Sequence, residues 1–217
     1  MLYDSLATRL TAEYDLFLYA LSGRYQQMRA PGVAASPRAI ADLNYKAHEL
    51  ASTFYQIASD EIATYIDPMI EAASESVADR LTQRKIAVLT LITSMLLENV
   101  HQVVKTARTG ITGPGDMLKG STGAIGSLLQ RMMAKITFKA TDTSGRKWDA
   151  EKLFRVVVRD FAYQAWLDRQ VEQLDEAGVT LVTNNQNAVF PLSEFENVRA
   201  QYFHINSNAI PTPYVPS

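Results

Sequence analysis

Before residue 110, apolar residues recur at helical spacing in three successive stretches, and no other feature constrains the fold as strongly. The middle stretch is the most regular. Ile40, Leu43, Ala47, Leu50, Phe54 and Ile57 alternate steps of three and four, which lines one helix face and suits helix-on-helix packing. Ser36 stands where an N-cap is needed and Pro37 in the favoured first turn. Asp67-Pro68 predicts an end or kink near Ile66. Ahead of it, Leu6, Leu10, Phe17, Leu21, Tyr25 and Met28 form one stripe on a helix from Ser5 to about Ala30, closed by Pro31-Gly32. A third helix is expected from about Pro68 to Ala107. Three long helices in this order predict an antiparallel hairpin or bundle over residues 1–109.

The longest apolar run, Ile86 to Leu97, lies in the third helix. A bilayer span needs about 18 apolar residues, and Arg84, Lys85 and Glu98 bracket the run, so a helix buried on most sides is expected. The run is apolar on more than one face. One flank should meet the second helix and the other a further partner, in this chain or another subunit, with Ile92 and Leu96 as candidate contacts.

Composition narrows the function classes. With 217 residues, 47% hydrophobic and 20% charged, the chain can form an ordinary core. A net charge of −2, with no basic cluster longer than Arg84-Lys85, argues against a dedicated nucleic-acid binder. The absence of cysteine removes disulfides, cysteine-zinc sites and thiol nucleophiles, and fits folding in a reducing cytoplasm. Met1 to Leu6 is amphipathic and lacks the basic-then-apolar layout of a signal peptide.

Six of the ten glycines fall between residues 110 and 126, so residues 110–127 read as a hinge or linker. A phosphate loop would need G-x-x-x-x-G-K-[ST] after a strand, so that backbone amides and a lysine converge on phosphate. Lys119-Gly120-Ser121 has the wrong order and follows a helix. Residues 128–203 then read as a small α+β domain. It should hold a short helix at Leu128–Met133, a strand at Ile136–Lys139, a turn at Asp142–Gly145 and a helix from about Asp149 to Ala177. Gly178 should cap that helix, followed by a strand at Val179–Thr183 and a turn at Asn184–Asn187. Residues 204–217 are polar and proline-rich, and predict an extended arm laid on a neighbour, with Pro211 and Tyr214 as contacts. The expected fold is mainly α: a helical hairpin or bundle, a small α+β segment and an extended C-terminal arm.

Candidate chemistry is sparse. His48, His101 and His204 are far apart and lack metal-ligand spacing, so no metal is expected. No G-x-S-x-G elbow occurs, and Asp60, Glu61, Glu71, Glu75 and Asp79 read as solvated helix carboxylates. We therefore expect no catalytic residue and no cofactor. Arg159, Tyr163 and Trp166 recur at helical spacing and suit either a core with a polar rim or an interface hot spot.

One region resembles a known family. Leu128-Leu129, the strand ITFKA, Asp142-Thr-Ser-Gly-Arg-Lys-Trp148, Leu153-Phe-Arg-Val-Val-Val-Arg-Asp160 and Glu176-Ala-Gly-Val-Thr-Leu-Val182 follow in order. This arrangement, over residues 128–183, is similar to the minor capsid proteins of tailed phages, the Mu F-type head morphogenesis group. That family shows a D-x-x-G-R-x-W turn, a helix with a V-R element and a G-[VI]-x-x-V strand. The resemblance implies a virion protein of the head or portal region, assembled in the bacterial cytoplasm. Such a protein would bind portal or capsid subunits in head assembly or genome packaging, as a homo-oligomer or ring. It gives Gly145, Arg146, Trp148 and Arg159 architectural roles, with Trp148 a further contact candidate. The chain departs from the family at Arg159-Asp160-Phe161, where R-T-E is usual, and is expected to lack the family's cysteine-containing or enzymatic tails. Two other classes stay open. One is a membrane-active or ejected helical virion protein using Ile86–Leu97; the other is a small nucleotide-binding protein or enzyme using residues 110–126.

Overall fold

The computed structural model describes residues 2–28, 36–109, 138–142, 144–184, 188–204 and 209–215. The fold is mainly helical, with three long helices followed by a small sheet-containing segment. These are α1 (Leu2–Met28), α2 (Pro37–Glu71) and α3 (Glu75–Thr109). A hairpin of β1 (Lys139–Thr141) and β2 (Lys147–Asp149) leads directly into α4 (Ala150–Glu176). Then come β3 (Leu181–Thr183), β4 (Val189–Pro191), a 3-10 turn at Leu192–Glu194, α5 (Phe195–Tyr202) and β5 (Thr212–Pro213). The glycine-rich segment and the expected helix at Leu128–Met133 lie outside the described residues.

Compactness follows a different division from the linear one. The chain clusters into one unit of residues 1–8, 60–88 and 156–217, and another of residues 9–59 and 89–155. Both boundaries in α2 and α3 stand equally far from Ser74. Two helices joined by the short Ala72–Ser74 connection and running back alongside each other produce that symmetry.

In the unit of residues 9–59 and 89–155, Tyr14 lies at the centre. Its ring stacks on Phe154 at 4.1 Å between centroids, with Phe17 and Phe54 around it. Its hydroxyl accepts a hydrogen bond from the buried Asn99 amide. Burial is the main cause that pushes this phenol well above its ordinary pKa. The expected α2 stripe is only partly right. Leu43, Ala47, Phe54, Ala58, Ile62 and Ile66 are buried, whereas Ile57 is exposed, because the stripe advances mostly in steps of four and drifts from Ile57 to Ala58. Ser36 caps as expected, its Oγ accepting from the Ala39 N–H at 3.2 Å. The Gln102 side chain ties α3 to the hairpin by hydrogen bonds with both backbone groups of Lys139.

In the other unit, α4 buries Val158, Phe161, Ala162, Tyr163, Ala165 and Leu167. Pro68 does not end α2, which continues to Glu71, so α3 begins at Glu75 and not at Pro68. The ring removes a single intrahelical bond within the last turn, and buried Ile62 and Ile66 just before it hold the helix in place. Gly178, at φ 71°, closes α4 as expected. The Val179 N–H donates to Leu174 O at 3.0 Å and the Gly178 N–H to Asp175 O at 2.9 Å, the paired bonds of a Schellman ending.

The small sheet has the order β4-β3-β5, with both pairs antiparallel. Thus β3 is found within the expected Val179–Thr183, while β1 starts at Lys139, at the end of the predicted strand. Strands β2, β4 and β5 and helix α5 were not anticipated. Asn184 closes the β3–β4 turn by accepting from Ala188 N at its Oδ1; Asn185–Asn187 lie outside the described residues. The C-terminal segment is extended, but its placement on a neighbour needs correction. Val182 pairs with Pro213 and Thr183 with Thr212, and Ala209 and Pro211 are buried. The arm covers its own chain.

Candidate interaction sites

The segment from Asp142 to Trp148 is organised by one carboxylate. Oδ1 of Asp142 accepts from Ser144 N (3.0 Å), Ser144 Oγ (2.7 Å) and Arg146 N (2.9 Å). Oδ2 accepts from Arg146 Nε at 3.0 Å and from the Trp148 indole N–H at 2.9 Å. Gly145 takes φ 80°, a conformation that a side chain strains, which lets the turn close. Hydrogen bonds from Ser144, then Trp148, hold the Asp142 carboxyl well below the usual carboxylate range. The Arg146 guanidinium sits 5.8 Å from the Trp148 ring centroid. These residues act on each other, as an architectural turn would.

The aromatic group on α4 is largely internal. Tyr163 is fully buried, its hydroxyl donating to Ala209 O at 2.7 Å and its ring packing on Tyr3 and Trp166. Arg159 donates to Asp4 at 2.9 Å. Ile92 and Leu96 are also inside. Four proposed contact residues, Ile92, Leu96, Tyr163 and Pro211, are therefore committed to the interior of this chain. Trp148 and Trp166 remain half-buried, and Tyr214 is exposed while its N–H donates to Leu181 O. The large apolar side chains of the run that do reach solvent are Ile86, Leu91 and Leu97.

A buried charge cluster escaped the sequence reading. Asp168 has no exposed side-chain surface and accepts from Arg84 Nε and Arg199 NH1, each at 2.6 Å. Arg199 also donates to the Gln164 side chain (2.8 Å) and backbone carbonyl (3.0 Å). Three helices, α3, α4 and α5, meet at this carboxylate. The available signal was a charge at Asp168, three residues beyond buried Ala165 on the apolar face of its helix.

Two open grooves complete the set. In the unit of residues 9–59 and 89–155, a groove of about 540 Å³ runs between α2 and α3. Its floor is Leu97, Val100 and Val104, and its rim carries His48, His101, Lys105 and Arg108. His48 Nδ1 lies 2.8 Å from Asn44 O, which fixes the ring as a donor there. In the other unit, a shallower groove of about 360 Å³ is lined by Tyr65, Met69, Trp166 and Gln170 among others. Among the described residues no three His, Asp or Glu side chains gather as a metal site. The span of α3 between Glu75 and Arg108 is long and apolar enough to cross a membrane by length and composition, which the twelve-residue run alone did not suggest; 39% of its most apolar window is buried. No protein-family model, no curated protein and no solved structure matches the chain.

Proposed function

We propose that this chain is a structural protein of a tailed-phage head, binding portal or capsid subunits through surfaces on its long helices. The sequence resemblance over residues 128–183 supplies the class. The observation that carries a binding role is the large apolar side chains left in solvent on those helices: Leu16 at 62% exposure, Tyr19 at 72%, Tyr45 at 70% and Leu97 at 51%. Scattered exposed apolar residues are ordinary, but Leu16 and Tyr19 are spaced to share one helix face, and Leu97 lies in a groove. Assembly proteins expose such surface until a neighbouring subunit covers it. Mass spectrometry of purified particles, with cross-linking, tests the reading. Peptides of this chain cross-linked to portal or capsid subunits are expected; absence from the particles ends it.

A membrane-active virion protein is the second reading, favoured by the apolar length of α3. Flotation with liposomes separates the two. A structural head protein stays with the soluble fraction, and a membrane-active one rises with the vesicles.

A further inference from the structure

We infer that α1 pairs with the α1 of a second copy of this chain, the two helices running antiparallel and meeting along Ala12, Leu16, Tyr19 and Gly23. The inference assigns one surface to a copy of the chain and stands whether or not the chain belongs to a phage head.

The core face of α1 is complete without these residues. Leu10, Tyr14, Phe17, Leu21 and Tyr25 are buried and, at about 100° per residue, point to the side opposite Leu16 and Tyr19. Ala12, Leu16, Tyr19 and Gly23 follow at steps of four, three and four, and fall within about 60° of one another around the helix. Ala12 is exposed, Leu16 and Tyr19 stand mostly in solvent, and a Cβ at Gly23 would meet nothing within 4 Å. A second helix can therefore lie along this stripe, and alternating three–four spacing is what such a seam requires.

The order of side-chain sizes selects the occupant. Small, large, large, small reads the same in both directions, and so does the spacing. Reversing the helix about the point between Phe17 and Leu18 carries Ala12 onto Gly23 and Leu16 onto Tyr19. A twofold interface demands that exchange, because the residue that one position touches must be touched by it in turn. In the antiparallel pair Leu16 meets Tyr19 twice at the centre, and the small residues at both ends let the backbones close in. The rim agrees. Arg9 and Arg24 are matched in number by Glu13 and Asp15, which suits a copy with the same balanced rim and gives a strongly acidic or basic partner no advantage. A seam of about three turns buries less than the roughly 1,600 Å² of a standard interface, so dissociation in the micromolar range is expected.

The chain has no cysteine, so introduced thiols report the pairing without background. Ala12→Cys and Gly23→Cys proteins, mixed and oxidised, are expected to join as a mixed disulfide. Either protein alone should give less than a tenth as much. Position 12 of one helix lies about 16 Å along the axis from position 12 of the other, beyond the roughly 7 Å that a disulfide allows. Sedimentation equilibrium of the unmodified chain should show a dimer, and Leu16→Glu/Tyr19→Glu should weaken it at least tenfold. Far-UV circular dichroism checks that this variant keeps its helix content, and the cysteine variants, which retain Leu16 and Tyr19, give an independent readout. A chain that stays monomeric at millimolar concentration overturns the proposal. So do single variants that oxidise to dimer as readily as the mixture, and a dimer that Leu16→Glu/Tyr19→Glu leaves intact. A monomeric chain cross-linked through this stripe to portal or capsid subunits keeps the proposed function and overturns this inference.

Discussion

At the scale of single residues, two aspartates hold this molecule in different ways. Asp142 organises an exposed turn, and its pH behaviour follows from its lowered pKa. A carboxyl whose folded pKa lies below its unfolded value, about 3.9, stabilises the fold fully above that value and loses the contribution as pH falls further. The turn should therefore be intact at neutral pH and weaken progressively below about pH 4. In a Trp166→Phe background, Trp148 fluorescence reads the turn alone. A transition below pH 4 that disappears in Asp142→Asn is expected; an unchanged transition in that variant refutes the assignment. Asp168 is the buried counterpart. Asp168→Asn leaves Arg84 and Arg199 without their shared anion, and breaking a buried pair from one side costs about 3 kcal/mol or more. Gln164 and Glu196 still accept from Arg199, which keeps the loss at the low end. Urea unfolding measures it. A loss under about 1 kcal/mol would mean that water replaces the carboxylate. Neither cluster was named from sequence as a stability element. The D-x-x-G-R-x-W string showed that a turn exists, but the convergence of five donors on one carboxylate depends on side-chain directions that spacing does not encode.

At the scale of elements, legibility tracked length. Helices α1, α2, α3 and α4 announced themselves because many turns of periodic burial outweigh any local exception, as Pro68 inside α2 illustrates. Strands of two or three residues carry too few alternations to register, and β5 pairs with β3, about thirty residues away in sequence. One boundary error had a consequence. Placing the α2–α3 reversal at Pro68 pairs His48 with the wrong part of α3. Counting outward from the true reversal at Ser74 brings His48 opposite Val100 and His101, and the groove between α2 and α3 becomes visible. Helix punctuation is testable by two glycines of opposite sign. Gly178 has φ 71° and open space around a would-be Cβ, so Gly178→Ala costs about 1 kcal/mol through backbone strain alone. Gly23 lies inside α1, also with open space, so Gly23→Ala stabilises by about 0.5–1 kcal/mol. Thermal melting of the pair reads both, and a shift in the same direction for the two variants contradicts this account.

At the scale of the whole molecule, the C-terminal segment separates an appendage from a part of the fold. From composition it had no interior of its own and belonged on a neighbour. In the structure it supplies the second neighbour of β3, buries Ala209 and Pro211, and accepts the hydrogen bond of the fully buried Tyr163 hydroxyl. Composition missed this because a few small apolar groups suffice when the receiving surface is already built. Truncation after His204 leaves the Tyr163 hydroxyl without that acceptor and bares the edge of β3. Stranding a buried polar group costs about 1–3 kcal/mol, and losing the apolar cover adds to it. The truncated chain should be less stable in urea by at least about 2 kcal/mol and elute partly as aggregate on size exclusion, since an open strand edge recruits other chains. Tyr163→Phe in the full chain isolates the hydrogen bond and should lose less, about 1 kcal/mol, without aggregation. An arm that merely trails would leave stability and elution unchanged when removed. That result would return residues 209–215 to the role of a contact for another subunit.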